Sequence, residues 1–163
     1  MFETAQAEEA RLTSQIMACL EEHGITAGFG ALACGADILV AETLLRRSAE
    51  LHVLLPFSPE RFAETSVTIG GKGWLPRYQD CLKRATSVRT IPMEPDTNPY
   101  VAASQSAMAA ALAQDPQALQ ISLFDGMDAD SDVGTGSDIA HWKSLGGRTI
   151  IIPTGPNLRL PQM

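Results

Sequence analysis

The stretches Gly30-Ala31-Leu32-Ala33-Cys34-Gly35-Ala36-Asp37 and Gly134-Thr135-Gly136-Ser137-Asp138 each set glycines and small side chains just ahead of an aspartate. Such a turn can hold a phosphate or a ribose. Glycine lets the backbone approach a ligand with no Cβ in between, and the amides that open the following helix lack internal partners. The helix dipole adds partial positive charge at the same end. In the first stretch Gly30 and Gly35 bracket Ala31 and other small residues, and Asp37, just after Ala36, can cap the helix or accept hydrogen bonds from ribose hydroxyls. On this reading a valine at Gly35 would exclude the ligand and leave the fold largely intact. In the second stretch Gly134 and Gly136 free the backbone, Thr135 and Ser137 offer hydroxyls to phosphate oxygens, and Asp138 stands at a helix start. Either turn alone also suits a plain capped helix start. Two in one small chain, in the right order, favour the ligand-binding reading.

The remaining reactive side chains form no comparable group. Glu42, one turn beyond Asp37, is the other carboxylate that can face the same site. With Asp138 it is the candidate for hydrolysis of an N-glycosidic bond, in which a carboxylate stabilises an oxocarbenium ion or activates water. His23 ends a helix and His52 alternates within a strand, so both read as structural; His141, three residues past Asp138, can face the same cleft. Asp128, Asp130 and Asp132 have the alternate spacing of a calcium loop but lack its glycine and its closing glutamate, so a solvated loop over the site is expected. Cys19, Cys34 and Cys81 make no CxxC pair and show no metal-ligand spacing. No metal and no cofactor is expected.

An alternation of helices and strands must position the two turns. Apolar residues near helical spacing, closed by Gly24, predict a helix over Ala5–His23. A strand at Ile25–Phe29 then opens into the first turn, a helix follows over Ile38–Leu45, and the apolar run Leu51–Phe57 reads as a strand buried on both faces. Ser58-Pro59 starts a short helix near Arg61–Thr65. Trp74–Ala85 is a helix, Ser87–Ile91 a strand, Pro92–Pro99 a loop, and the alanine-rich Tyr100–Ala113 a helix. Its small residues suit either core packing or close approach of a second copy. Leu119–Phe124 is a strand, Met127–Val133 a polar loop, and the second turn opens a helix through Leu145 before a last strand at Arg148–Pro153. The fold class is α/β with a mostly parallel sheet, in one domain over 1–163 with a loose tail from about 154.

Composition removes several classes of function. A chain of 163 residues with 45% hydrophobic and 19% charged residues has the makings of one globular core. A net charge of −7, with no basic cluster larger than Arg46-Arg47, argues against nucleic acid as a partner. No stretch reaches the roughly 18 apolar residues of a membrane span, and no signal peptide opens the chain. With scattered cysteines, this points to the cytoplasm.

The first turn resembles the S-G-x-A-x-G-x-D turn of DprA/Smf-type Rossmann domains, and the second resembles the G-T-x-x-E of the Lonely Guy phosphoribohydrolases. The chain is thereby identified as a member of the SLOG superfamily, named after those two groups. The resemblance runs from about Ile25 to Pro153 and takes in Leu51–Phe57, Phe62, Ser66-Val67, Trp74, Asp125-Gly126 and Trp142. These strings are similar to a bacterial subgroup attached to signalling modules such as nucleotide cyclases. The resemblance implies a Rossmann-like three-layer sandwich that binds nucleotides, nucleotide sugars or their derivatives, mostly as a sensor and in some members as a nucleoside 5′-monophosphate phosphoribohydrolase. The departures bear on catalysis: Ser131-Asp132-Val133 replaces the hydrolases' P-G-G lead, Asp138 stands where they carry glutamate, and their catalytic arginine has no evident counterpart. The family also begins with a strand ahead of the first helix here. Its absence would leave an open edge, which pairing with another copy would cover, so a homo-oligomer is expected. A scaffold without ligand is the third reading, which the glycines in both turns disfavour.

Overall fold

The computed structural model describes residues 2–124 and 135–154. Helices and strands alternate from α1 (Phe2–Glu22) and β1 (Ala27–Gly30) through α2 (Ala36–Arg46), β2 (Glu50–Leu55), α3 (Pro59–Phe62), α4 (Trp74–Arg84), β3 (Ser87–Thr90), α5 (Pro99–Gln114), β4 (Leu119–Phe124) and α6 (Thr135–Ser144) to β5 (Arg148–Pro153). Local signals account for most of the boundaries. Gly24, at φ 59°, ends α1, with the amide of Ile25 donating to the carbonyl of Leu20 at 2.9 Å and that of Gly24 to Glu21 at 3.2 Å. This is the paired bonding that closes a helix on a left-handed residue. Ser48, at φ 56°, closes α2 in the same way. The Ser58 hydroxyl accepts from the amide of Arg61, with Pro59 at the first helical position of α3.

Every strand pair is parallel, but the sheet comes in two pieces. β1, β2 and β3 form one and β4 and β5 the other, with Gly28 opposite Leu51, Val53 opposite Val88, and Ile121 opposite Ile150. The single sheet expected from the alternation is thus in two pieces, with no pairing between them among the described residues. The two pieces still share their helical layers: α5 packs on β1, β2 and α6, while α1 packs on both α2 and β5. One buried cluster joins Leu12, Ile16 and Leu20 of α1 to Val53 and Leu55 of β2, Leu123 of β4 and Ile152 of β5. A single core therefore spans both pieces, as a three-layer α/β sandwich requires.

The alanine-rich α5 buries Ala103, Ala107 and Met108, and it lies on β1 and β2. Its small side chains let the helix sit close to the sheet, so core packing accounts for them. On the opposite layer, Arg77 of α4 donates to Glu42 of α2 at 3.0 and 2.6 Å and to Glu9 of α1 at 2.6 Å, with its guanidinium 4.4 Å over the Trp74 ring. This clamp fastens three helices to one another, and the two carboxylates hold the Arg77 charge firmly in place by raising its pKa.

Candidate functional site

β1 ends at Gly30, and the chain turns inward before α2. Leu32, Ala33 and Cys34 are buried at 0, 6 and 3% exposure, and the amide of Cys34 donates to the Ser66 carbonyl at 3.0 Å. Ser66 lies in a π-helical turn, Ala63–Val67, that continues α3. The turn is thus pinned to the strand-end layer by its backbone. Gly35 caps α2 at φ 94°, ψ −124°, and among the described residues no side chain caps the amides that open the helix. Only glycine adopts this conformation readily. The expectation that a valine at Gly35 would leave the fold largely intact is therefore corrected: Gly35 is buried, and its conformation alone demands glycine. Gly30 is the residue with space beside it, since a Cβ there would meet nothing within 4 Å. Ala31, next to Gly30, and Ala36, next to Gly35, are half-buried.

Asp37 does not cap α2. It reaches back, and its Oδ2 accepts from the Ala33 amide at 3.1 Å, closing the turn on itself. Burial pushes its carboxyl up to about 6; the Ala33 amide opposes that rise, and the negative charge of Asp138 adds to it. Asp138 comes from the first turn of α6, and its Oδ2 accepts from the hydroxyl of Ser104, on α5, at 3.3 Å. Two turns distant in sequence are thereby brought together at the carboxyl ends of parallel strands. Gly136 and Ser137 are half-buried at the start of α6, and Thr135 is its first residue. Gly134, Asp125-Gly126 and the loop with Asp128, Asp130 and Asp132 lie outside the described residues.

Glu42 is not brought to this pair. Five residues past Asp37 on a helix, it points about 140° away from it, and Arg77 holds both its oxygens. The carboxylate that accompanies Asp138 is Asp37. Two further polar residues at this end of the sheet escaped the sequence reading. Ser104 left one trace, a hydroxyl on the buried side of an alanine helix. Arg61, in the short helix α3 that follows β2, holds its guanidinium 4.2 Å over the Phe57 ring, against which Tyr100 of α5 packs edge-on at 5.4 Å. This is an exposed cation on the side of the sheet where strand ends and helix starts converge.

The histidines lie apart or idle. His52 stacks on Phe29 at 4.8 Å and bonds Ser87 Oγ at 2.7 Å and Glu50 Oε1 at 3.2 Å. This trio pairs the opening residues of β2 and β3, at the ends of the strands remote from the two aspartates, and ties the strands together. His141 stands half-buried one turn after Asp138. A separate groove of about 390 Å³ lies between Pro56, Ile91, Met93 and the Ala102, Gln105 and Ala109 side of α5. That side is opposite the one bearing Ser104. Among the described residues, no three His, Cys, Asp or Glu side chains gather as metal ligands, and no helix is long and apolar enough to cross a membrane. Cys19, Cys34 and Cys81 are buried free thiols.

Comparison with protein-family models, curated proteins and solved structures finds no match to the chain.

Proposed function

We propose that the chain binds a nucleotide or nucleotide-derived small molecule where its two glycine turns meet, and serves as a sensing module in a signalling context. The observation that carries this reading is the juxtaposition of Asp37 and Asp138, close enough for one charge to act on the other's carboxyl at the carboxyl ends of the strands. Open α/β sheets bind ligands there, at the point where strand order reverses. Sugar hydroxyls of the ligand donate to the acid pair, and its phosphate lies toward the uncapped start of α2 and Arg61. The likeness of both turns to those of the SLOG superfamily supports the same reading. An oligomer, and a cytoplasmic setting without nucleic-acid or membrane partners, accompany it.

One observation favours a second reading, hydrolysis of an N-glycosidic bond. A carboxyl near 6 beside a second carboxylate is suited to general acid or base work. The candidates are then Asp37 and Asp138, with Glu42 withdrawn into its ion pair. Against it stands the resemblance itself: the hydrolases carry glutamate where this chain has Asp138, and about 1 Å of lost reach can cost a hundredfold in rate.

A thermal-shift screen of nucleotides, cyclic nucleotides and nucleotide sugars tests the binding reading. A true ligand at a hundredfold excess over its dissociation constant stabilises by about 2.7 kcal/mol. Asp138→Ala is expected to weaken that ligand by about 1–3 kcal/mol, the scale of a hydrogen bond to a charged group. No free base is expected from nucleoside monophosphates. Base released by the wild type and not by Asp138→Ala would promote the hydrolase, and a flat screen would favour the scaffold.

A further inference from the structure

Among the described residues, β3 at the end of one piece of sheet and β5 in the other each pair on one side only. Free edges invite pairing with other chains, and proteins blunt them with short strands and charges. β3 is blunted in this way: it has four residues, and Arg89 sits within it. β5 is not. Its six residues, Arg148-Thr149-Ile150-Ile151-Ile152-Pro153, carry charge only at the start. Ile151 is 48% exposed, and Leu145, just beyond the end of α6, is 46% exposed. Three isoleucines and a threonine form a strongly β-prone run with an apolar side chain already in solvent.

We infer that β5 is the interface with a second copy of this chain, two β5 strands pairing antiparallel across a twofold axis to join two sheets. An axis normal to the sheet keeps each side chain on its own face, so opposed residues must share parity. With Ile151 on the axis, Ile150 opposes Ile152, Thr149 opposes Pro153, and Arg148 opposes Thr154. No like charges meet, and Arg148 falls outside the isoleucine run at both ends. With Ile150 on the axis instead, Arg148 would be set against Ile152. The same pairing of β3 would bring Arg89 against or beside its own copy, which disfavours that edge. The arrangement is independent of the ligand site, because it uses none of the turn residues.

In the chosen register Ile151 faces its own copy with Cα atoms about 4.5–5.5 Å apart, within disulfide reach. Ile151→Cys in the full chain is therefore expected to form a covalent dimer on mild oxidation, well ahead of Val88→Cys, a position on β3 of similar exposure, 42% against 48%. The native cysteines are buried and contribute little background. Sedimentation should show the wild type dimerising in the micromolar range expected of a small interface, and Ile151→Lys should weaken the dimer on the order of tenfold or more. A wild type monomeric up to about 200 µM, a dimer indifferent to Ile151→Lys, or crosslinking no faster than the Val88→Cys control would each overturn the inference. If Ile151→Lys fails to fold, the cysteine pair of variants decides alone.

Discussion

Gly35→Val is expected to lose about 2–6 kcal/mol of stability, a large share of the 5–15 kcal/mol that holds a typical domain. Two costs add. The backbone at φ 94°, ψ −124° is strained for any residue with a Cβ, at about 1–3 kcal/mol. The residue is also buried, so a branched side chain overpacks its surroundings at about 1–3 kcal/mol. Gly30→Val should behave in the opposite manner. Its backbone has no left-handed φ and its Cβ would point into open space, so the fold should survive while the ligand found by screening loses at least about tenfold in affinity. Urea unfolding and ligand titration on the two variants separate the roles. A Gly35→Val protein that melts like the wild type would refute the conformational argument, and a Gly30→Val protein that binds normally would move the ligand away from the first turn.

The same pair of glycines shows what the sequence made legible. That a glycine turn follows β1 is plain from local pattern, as are nearly all the helices, because caps and periodicity are written within a few neighbouring residues. The helix expected over Tyr100–Ala113 runs from Pro99 to Gln114, with Asn98 accepting from the amides of Tyr100 and Val101 at 2.9 and 3.3 Å. Strand ends drifted more: Leu51–Phe57 is realised as Glu50–Leu55, because Pro56 cannot extend the ladder. The short helix near Arg61–Thr65 starts earlier, at Pro59, and loosens into a π turn from Ala63.

Which glycine needs its freedom and which offers space could not be read locally, since both depend on φ and on neighbours supplied by tertiary packing. The same holds for the carboxylates. Helical geometry alone already sets Glu42 off the face of Asp37, but only the packing of α4 supplies Arg77 to occupy it. Ser104 meets Asp138 because α5, crossing back over β2 and β1, lies against α6. The division of the sheet into two pieces likewise has no signature in the strands, each of which pairs normally within its own piece.

Asp37→Asn is expected to stabilise the ligand-free protein at neutral pH by about 2–3 kcal/mol and to weaken ligand binding at the same time. The folded carboxyl lies at about 6, and an unfolded aspartate near 3.9. Between those values the folded state keeps a proton that the unfolded state has released, so stability falls as pH rises. The favourable contribution is complete below about pH 4 and gone above about pH 6, and roughly two pKa units correspond to about 3 kcal/mol. Asparagine carries no such proton and can still accept from the Ala33 amide, so its advantage should appear as pH rises from 4 to 7 and vanish in acid. Other carboxylates titrate in the same range, and comparing the two proteins by urea unfolding at both pH values cancels them. An advantage independent of pH would mean that Asp37 is not held against its own ionisation. A charge retained at such a cost in stability, beside a second carboxylate at the strand ends, is what a site selected for binding rather than for folding would keep, and a ligand that loses affinity in the more stable Asp37→Asn protein would show both effects in one residue.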